Sequence, residues 1–344
     1  MSPGLNSIFL EEIRSQPEVL ARRLESGWAE VEEVAARIRR QRPAALLLAA
    51  RGSSDHAATY AKYLFEIRNR LPVALAAPSA FTLYGSPPRL EGLAVLAISQ
   101  SGASPDVAAV VEEARRQSRP AFAIVNERAS RLGRAADVVV PMGAGRERSV
   151  PASKTYTASL LCLAMLSWAL DPDPDFRAAI ESLPCAAAAA LESDAGRLAE
   201  AVEGRRLAAI GRGYHLATAQ EVALKVTETS YLLAEARSVA DFMHGPIAAV
   251  DPELPVLLLE AAGPARADMR RLGRRLEEQG VCVLRIGDRL RPEARSVRVR
   301  TGLPEALTPI PFAVAGQLFA QALAARRGLD PDRPRGLRKV TETT

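Results

Sequence analysis

The chain has 344 residues, 48% of them hydrophobic, and a formal charge of +5, which gives room for two ordinary domains and excludes a disordered chain. Its basic residues are interleaved with acids instead of forming one stripe, which argues against nucleic acid as a partner. The longest apolar run, Ala158 to Leu170, carries Ser159 and Ser167 and is too short for a membrane span, so with no charged start before an apolar segment a cytoplasmic protein is expected.

Residues 8–40 read as two helices, Phe9 to Gln16 and, after Pro17, Glu18 to Arg40, from apolar residues at helical spacing. The continuous apolar run Ala44 to Ala50 suits a parallel strand buried on both faces, and it leads into Arg51-Gly52-Ser53-Ser54 and a helix through Arg68. Pro72 to Ala76, Leu93 to Ile98, Ala121 to Val125 and Ala136 to Pro141 read as further strands, with helical patterns between several of them. Such alternation predicts a doubly wound parallel sheet, which binds ligands at the carboxyl ends of its strands. After a helix from Ser153 to Leu170, the breaker-rich Asp171-Pro172-Asp173-Pro174-Asp175 marks a boundary, and Ala-rich helical sequence follows through Ala201.

There the pattern starts again, at an offset of about 160 residues. Arg206 to Ile210 with Gly211-Arg212-Gly213 matches Leu46 to Ala50 with Arg51-Gly52-Ser53; Leu254 to Leu259, Val281 to Ile286 and Ser296 to Arg300 match the later strands, and Pro311 to Leu323 the closing helix. The expected fold is therefore α/β: two tandem doubly wound parallel-sheet domains, flavodoxin-like and related by internal duplication. The expected division is N-terminal helices over 1–40, a first domain over 41–175, a second over 176–330 and a tail over 331–344.

Between the run Leu93 to Ile98 and a helical pattern from Val107 lies Ser99-Gln100-Ser101-Gly102-Ala103-Ser104. Hydroxyls, an amide and the unpaired N–H groups of a helix start converge there, a combination that suits a dianionic phosphate. A plain capping turn is the competing reading, since Ser and Asp are common at helix starts. The second copy has Glu260-Ala261-Ala262-Gly263 instead, so one phosphate site per chain is expected.

Cys162, Cys185 and Cys282, far apart and in apolar contexts, fit neither a disulfide framework nor a zinc site and are expected as buried thiols. No metal and no cofactor is expected. The basic run Arg266 to Arg275 reads as the solvated face of a helix. Only four lysines occur, Lys62, Lys154, Lys225 and Lys339, in a chain that otherwise uses Arg, which makes each a candidate for a role a guanidinium cannot fill.

Arg51 to Ser54, Ser99 to Ser104, Ser149-Val150-Pro151-Ala152-Ser153-Lys154-Thr155, Glu221 to Glu228, Phe242-Met243-His244-Gly245-Pro246 and the tail Arg335-Gly336-Leu337-Arg338-Lys339-Val340-Thr341 together resemble the double sugar-isomerase (SIS) module of glucosamine-6-phosphate synthase. Lys154-Thr155-Tyr156-Thr157 and Lys225-Val226-Thr227-Glu228-Thr229 bring it closer to the SIS-type glucosamine-6-phosphate deaminases and fructosamine-6-phosphate deglycases. The resemblance implies that Ser53, Ser54, Ser99, Gln100, Ser101 and Ser104 hold a sugar phosphate, with the backbone near Val150 and with Arg335 also at the substrate. It implies that Glu228 moves the proton between C1 and C2, and that His244 opens the sugar ring from the neighbouring subunit of a homodimer; Lys225, three residues before Glu228 and on the same helical face, is placed either to tune that carboxylate or to bind substrate hydroxyls. Lys339 would contact the open-chain sugar or form an imine with it. His56 is expected to be structural, and His215 has no assigned role. Arg51, Thr227 and Gly336 depart from the synthase pattern. The chain opens Met1-Ser2-Pro3 without the N-terminal Cys of a glutaminase, so glutamine-driven synthesis is not expected. The implied activity is conversion of glucosamine 6-phosphate to fructose 6-phosphate and ammonia; the alternatives are a deglycase or a silent sugar-phosphate sensor.

Overall fold

The computed structural model describes residues 7–339. Met1-Ser2-Pro3 at one end and Val340-Thr341 of the tail motif lie outside the described residues. The chain divides into two compact units that interleave in sequence: Glu18–Glu147, Lys154–Glu181 and the tail from Arg338 in one, and the residues up to Pro17, Arg148–Ser153 and Ser182–Leu337 in the other.

The chain begins with α1 (Ile8–Arg14), α2 (Gln16–Ser26) and α3 (Ala29–Gln41). The single helix expected from Glu18 to Arg40 is thus broken in two. The cause is local: the buried Arg23 side chain turns back to donate to the Gly27 carbonyl, and Trp28 packs edge-on against Trp168 with ring centroids 5.0 Å apart. A Cβ at position 27 would lie 2.8 Å from Oε2 of Glu30 and 2.9 Å from the Arg23 guanidinium, so a larger residue there would make those two side-chain ends shift.

The first sheet contains β1 (Ala45–Ala49), β2 (Val73–Leu75), β3 (Leu93–Ser99), β4 (Ala121–Val125) and β5 (Val138–Pro141), all parallel, in the order β2-β1-β3-β4-β5. With it come α4 (Ser53–Arg68), α5 (Pro78–Phe81), α6 (Pro105–Arg116), α7 (Arg131–Ala135), α8 (Lys154–Leu170) and α9 (Pro174–Glu181). Val107, Val110, Val111 and Ala114 of α6 pack on Val95, Ala97, Ala123 and Val125, which is why that helix alternates apolar and charged residues at a helical period. By contrast α8 is apolar nearly all round and buried along almost its whole length, as a central helix must be.

The second unit holds α10 (Leu183–Leu191), β6 (Arg206–Gly211), α11 (His215–Ser230), β7 (Leu233–Ser238), α12 (Val239–Met243), β8 (Val256–Glu260), α13 (Arg266–Glu278), β9 (Val283–Gly287), β10 (Ser296–Arg298) and α14 (Pro309–Arg326). Its strands are also parallel, in the order β10-β9-β8-β6-β7. Read from the other end, that is the order of the first sheet, so the duplication seen in sequence is a duplication of topology. The sequence does not announce β7: it is an edge strand paired only with β6, and its Glu235 and Arg237 face outward and pair with each other. Helix α14 is buried on nearly every side, against α11, α10 and α1.

One expectation fails among the cysteines. Cys162 is buried, but Cys185 is exposed and Cys282 half-buried. On α10 the buried face is Leu183, Ala186, Ala187 and Ala190, and Cys185 falls opposite it. No helix among the described residues is long and apolar enough to cross a membrane.

Candidate active site

The two hydroxyl-bearing turns follow β1 and β3, which are neighbours in the sheet, and the strand order reverses between them. In doubly wound sheets that reversal opens a crevice at the carboxyl ends of the strands. Gly52, with φ +56°, turns the chain into α4 and leaves Ser53 and Ser54 in its first turn, where the Ser54 N–H donates to the Arg51 carbonyl and the Asp55 and His56 N–H groups to that of Gly52. After β3, the Ser99 hydroxyl accepts from the Gly102 N–H at 3.0 Å, and the Ser101 hydroxyl accepts from the Ala103 N–H at 3.2 Å. Gly102 has φ +62°, and a Cβ there would lie 2.0 Å from the Ser130 Oγ, so the turn requires glycine. Its carbonyl accepts from the Leu132 N–H at 3.0 Å, and that of Gln100 from the Asn126 N–H at 3.3 Å, which braces the turn from both sides.

Ser104 is the N-cap residue of α6, yet its side chain makes no capping bond. A turn that served only to cap the helix would spend that hydroxyl on the helix N–H groups. Arg51 ties the two turns together: its Nε donates to Oδ2 of Asp106 at 2.7 Å, and Asp106 is buried in the first turn of α6. Burial pushes the nearby Asp55 carboxyl above the usual range, with His56 and Arg51 opposing the shift. In the second unit the matching turn is occupied by a carboxylate. A Cβ at Gly263 would lie 2.1 Å from Oε2 of Glu305, whose pKa is raised by burial and then by Asp288.

Helix α11 carries Glu221, Lys225 and Glu228 on one face, at spacings of four and three residues. Nζ of Lys225 donates to Oε2 of Glu228 at 2.6 Å and lies 3.5 Å from Oε1 of Glu221. The Lys225 and Glu221 side chains are each 1% exposed and that of Glu228 19%. An ammonium taken out of water needs such partners, because its desolvation is costly. The result is a carboxylate with one oxygen fixed by a buried cation. Sequence reasoning passed over Glu221, although its place one turn before Lys225 was a usable signal.

His244 stands at the C-terminus of α12 and is exposed. Its Nδ1 lies 2.7 Å from the Ala240 carbonyl, which can only accept, so the hydrogen is on Nδ1 and Nε2 keeps its lone pair when the ring is neutral. The structure does not bond His244 to Lys225 or Glu228. His215, by contrast, is fully buried: Nε2 meets Thr308 Oγ1 at 2.9 Å, the ring packs on Phe312, and desolvation pushes its pKa down to about 3. It is a neutral core residue.

Lys339 reaches a group that sequence reasoning did not single out. Its Nζ lies 2.6 Å from Oε2 of Glu147, whose side chain is fully buried and also accepts from the N–H and hydroxyl of Thr155 at 3.1 and 2.8 Å. In the other unit, the backbone at Val150 is positioned through its neighbours: buried Glu12 of α1 accepts from the Arg148 and Ser149 N–H groups and the Ser149 hydroxyl. Arg335 donates its N–H to the Tyr231 hydroxyl and lays its guanidinium over that ring, and Asp332 caps the start of α1 through the Ile8 and Phe9 N–H groups. No cluster of metal-binding residues occurs among the described residues.

Comparison with known proteins follows the same lines. A glutamine–fructose-6-phosphate aminotransferase (isomerizing) from Thermococcus kodakarensis is 32% identical over 352 residues, which cover 98% of this chain and 58% of that protein. The chain thus spans little more than half the length of the curated relatives it matches. Among solved structures, a candidate phosphosugar isomerase from Silicibacter pomeroyi DSS-3 is 36% identical with a TM-score of 0.87, over 95% of this chain and 100% of that one. The glucosamine-6-phosphate deaminase of Thermotoga maritima, 23% identical, shares the fold with a TM-score of 0.79 over 98% of this chain and 100% of its own. Residues 40–169 and 202–289 match the model of the SIS domain, one segment on each parallel sheet, and the chain belongs to the SIS domain family.

Proposed function

We propose that the protein isomerises an amino sugar 6-phosphate and releases its nitrogen, converting glucosamine 6-phosphate and water to fructose 6-phosphate and ammonia. The observation that carries this reading is the buried Lys225 holding one oxygen of Glu228 while the carboxylate keeps contact with solvent. A proton carrier between two adjacent carbons needs a base that is fixed in position and reachable, and this arrangement provides one. The turns after β1 and β3 support the second requirement, a grip on the phosphate remote from the reacting carbons, through Ser53, Ser54, Ser99, Gln100, Ser101 and Ser104.

In this mechanism Nε2 of His244 takes the proton of the anomeric hydroxyl and returns it to the ring oxygen, which opens the sugar. Glu228 removes the proton from C2 and delivers it to C1 while a proton passes from the amine to O1, so that the C1 aldehyde becomes an alcohol and the C2–N bond an imine. Water adds to C2, the C–N bond breaks and ammonia leaves, which gives the ketose. Lys339 carries an amine able to attack the open-chain carbonyl or shuttle protons, and Lys225 keeps Glu228 aimed. Because the His244 ring is exposed and not bonded to the Glu228 cluster, we assign it to the site of a second subunit in a homodimer.

The test is to incubate the purified protein with glucosamine 6-phosphate and, separately, with fructosamine 6-phosphate conjugates of amino acids, and to assay ammonia, amino acid and fructose 6-phosphate. Equimolar ammonia and fructose 6-phosphate is expected. Amino-acid release alone would make the protein a deglycase, and no turnover of either substrate would make it a sensor.

A further inference from the structure

The basic run of α13, which reads in sequence as a solvated face, divides into two flanks in the structure. Arg271 lies on one, 3.7 Å from Asp268. Arg266, Arg270 and Arg274, each one turn from the next, form the other and line a groove of about 500 Å³. Arg285 of β9 and Arg289 and Arg291 of the following segment close its far side. Six arginines therefore face three glutamates, an excess of three positive charges in a chain whose whole formal charge is +5.

Two of those glutamates are already engaged. Glu260 lies 3.4 Å from Arg266 and Glu277 2.6 Å from Arg285. Glu277 is three residues beyond Arg274, where it could pair along the helix, yet it turns to the strand instead. The guanidinium groups of Arg270, Arg274, Arg289 and Arg291 make no hydrogen bond or ion pair with any described residue. Like charges one turn apart oppose helix formation, so the stripe works against its own helix until an anion joins it. Leu290 is the one apolar residue of the lining and no aromatic side chain is present, so a base has nothing to stack on.

We propose that this groove binds a diphosphate group, free or at the end of a small phosphorylated metabolite. Guanidinium forks match adjacent phosphoryl oxygens in pairs, and a diphosphate carries about three negative charges near neutral pH, equal to the excess in the lining. The groove is large enough for a compact ligand of that kind. This site is separate from the proposed sugar-phosphate turns, which lie on the other sheet and hold hydroxyls in place of guanidinium groups.

Isothermal titration of the full chain with inorganic pyrophosphate, ADP, orthophosphate and a single-stranded oligonucleotide tests the proposal. Pyrophosphate should bind at least about tenfold tighter than orthophosphate. Equal affinity for ADP identifies the free diphosphate as the recognised unit, and tighter binding of ADP makes a nucleotide its source. R270Q/R274Q should weaken pyrophosphate about tenfold or more without lowering the melting temperature of the free protein, since it removes repulsion; S99A/S101A should leave pyrophosphate affinity unchanged. The proposal is overturned if pyrophosphate binds no better than orthophosphate, if S99A/S101A abolishes the binding while R270Q/R274Q spares it, or if the oligonucleotide binds tightest.

Discussion

His215 provides a pH dependence whose size follows from its surroundings. In the unfolded chain it titrates near 6.5; in the folded protein, buried between Thr308, Thr218 and Phe312, it stays neutral down to about 3. Between those values the unfolded chain binds one proton more than the folded one, so stability falls as the pH is lowered through that window and is fully retained above it. Each unit of pH within the window costs about 1.4 kcal/mol. From pH 7 to pH 5 the loss due to His215 is therefore about 2 kcal/mol, and it grows to roughly 4 kcal/mol near pH 3. The assay is urea unfolding of wild type and His215→Gln at pH 7, 6 and 5; the other titrating groups cancel in the difference. Gln preserves a donor and an acceptor for the two threonines but takes up no proton, so the stability of wild type relative to the variant should drop by about 2 kcal/mol over that range. Parallel pH dependences of the two proteins would refute the assignment of a buried neutral imidazole.

Other consequences are as direct. Gly102→Ala places a methyl against Ser130 at a positive φ, and should lower stability by roughly 1–3 kcal/mol and raise KM for the sugar phosphate, as read by thermal melting and steady-state kinetics. Lys225→Met removes the buried ammonium that lies 3.5 Å from Glu221 and 2.6 Å from Glu228 and should cost about 3–5 kcal/mol in chemical denaturation, whereas the double change Lys225→Met with Glu221→Gln should recover much of that loss. Mixing the inactive variants His244→Ala and Glu228→Gln should restore activity once subunits exchange; no recovery despite proven exchange would keep His244 in its own chain. Lys339→Arg preserves charge, so a turnover loss of about a hundredfold would mark a chemical role for the amine, and wild-type turnover a purely electrostatic one, with Glu147 as its partner.

What could be read from the sequence was what neighbouring residues decide among themselves. The apolar runs of the central strands, the glycine and serine turns after them and the duplication all depend on local pattern, and both sheets are parallel as the alternation of strands and helices predicts. The spacing of Lys225 and Glu228 already implied a shared helical face. The missing parts depend on contacts between distant segments. Glu147 and Lys339 are 192 residues apart, and Glu12 and Ser149 are 137 apart. Neither pair has a local signature. Edge strand β7 lacks the apolar run because only β6 pairs with it, and the stop at Gly27 depends on where the Arg23 side chain turns. His215 could not be assigned because a buried neutral imidazole and a catalytic one are the same letter.

In the proposed reaction Glu228 carries a proton from C2 to C1 of an amino sugar phosphate. Glucosamine 6-phosphate deuterated at C2, turned over by wild type and by Glu228→Gln, tests that transfer in one measurement by mass and NMR analysis of the product. Wild type should give fructose 6-phosphate and ammonia in equal amounts, with the C2 deuterium moved to C1 or lost to solvent. The variant should show a turnover lower by about a hundredfold or more, with phosphate-dependent binding retained. Undiminished turnover by Glu228→Gln, or ammonia released without a ketose product, would contradict the proposed reaction.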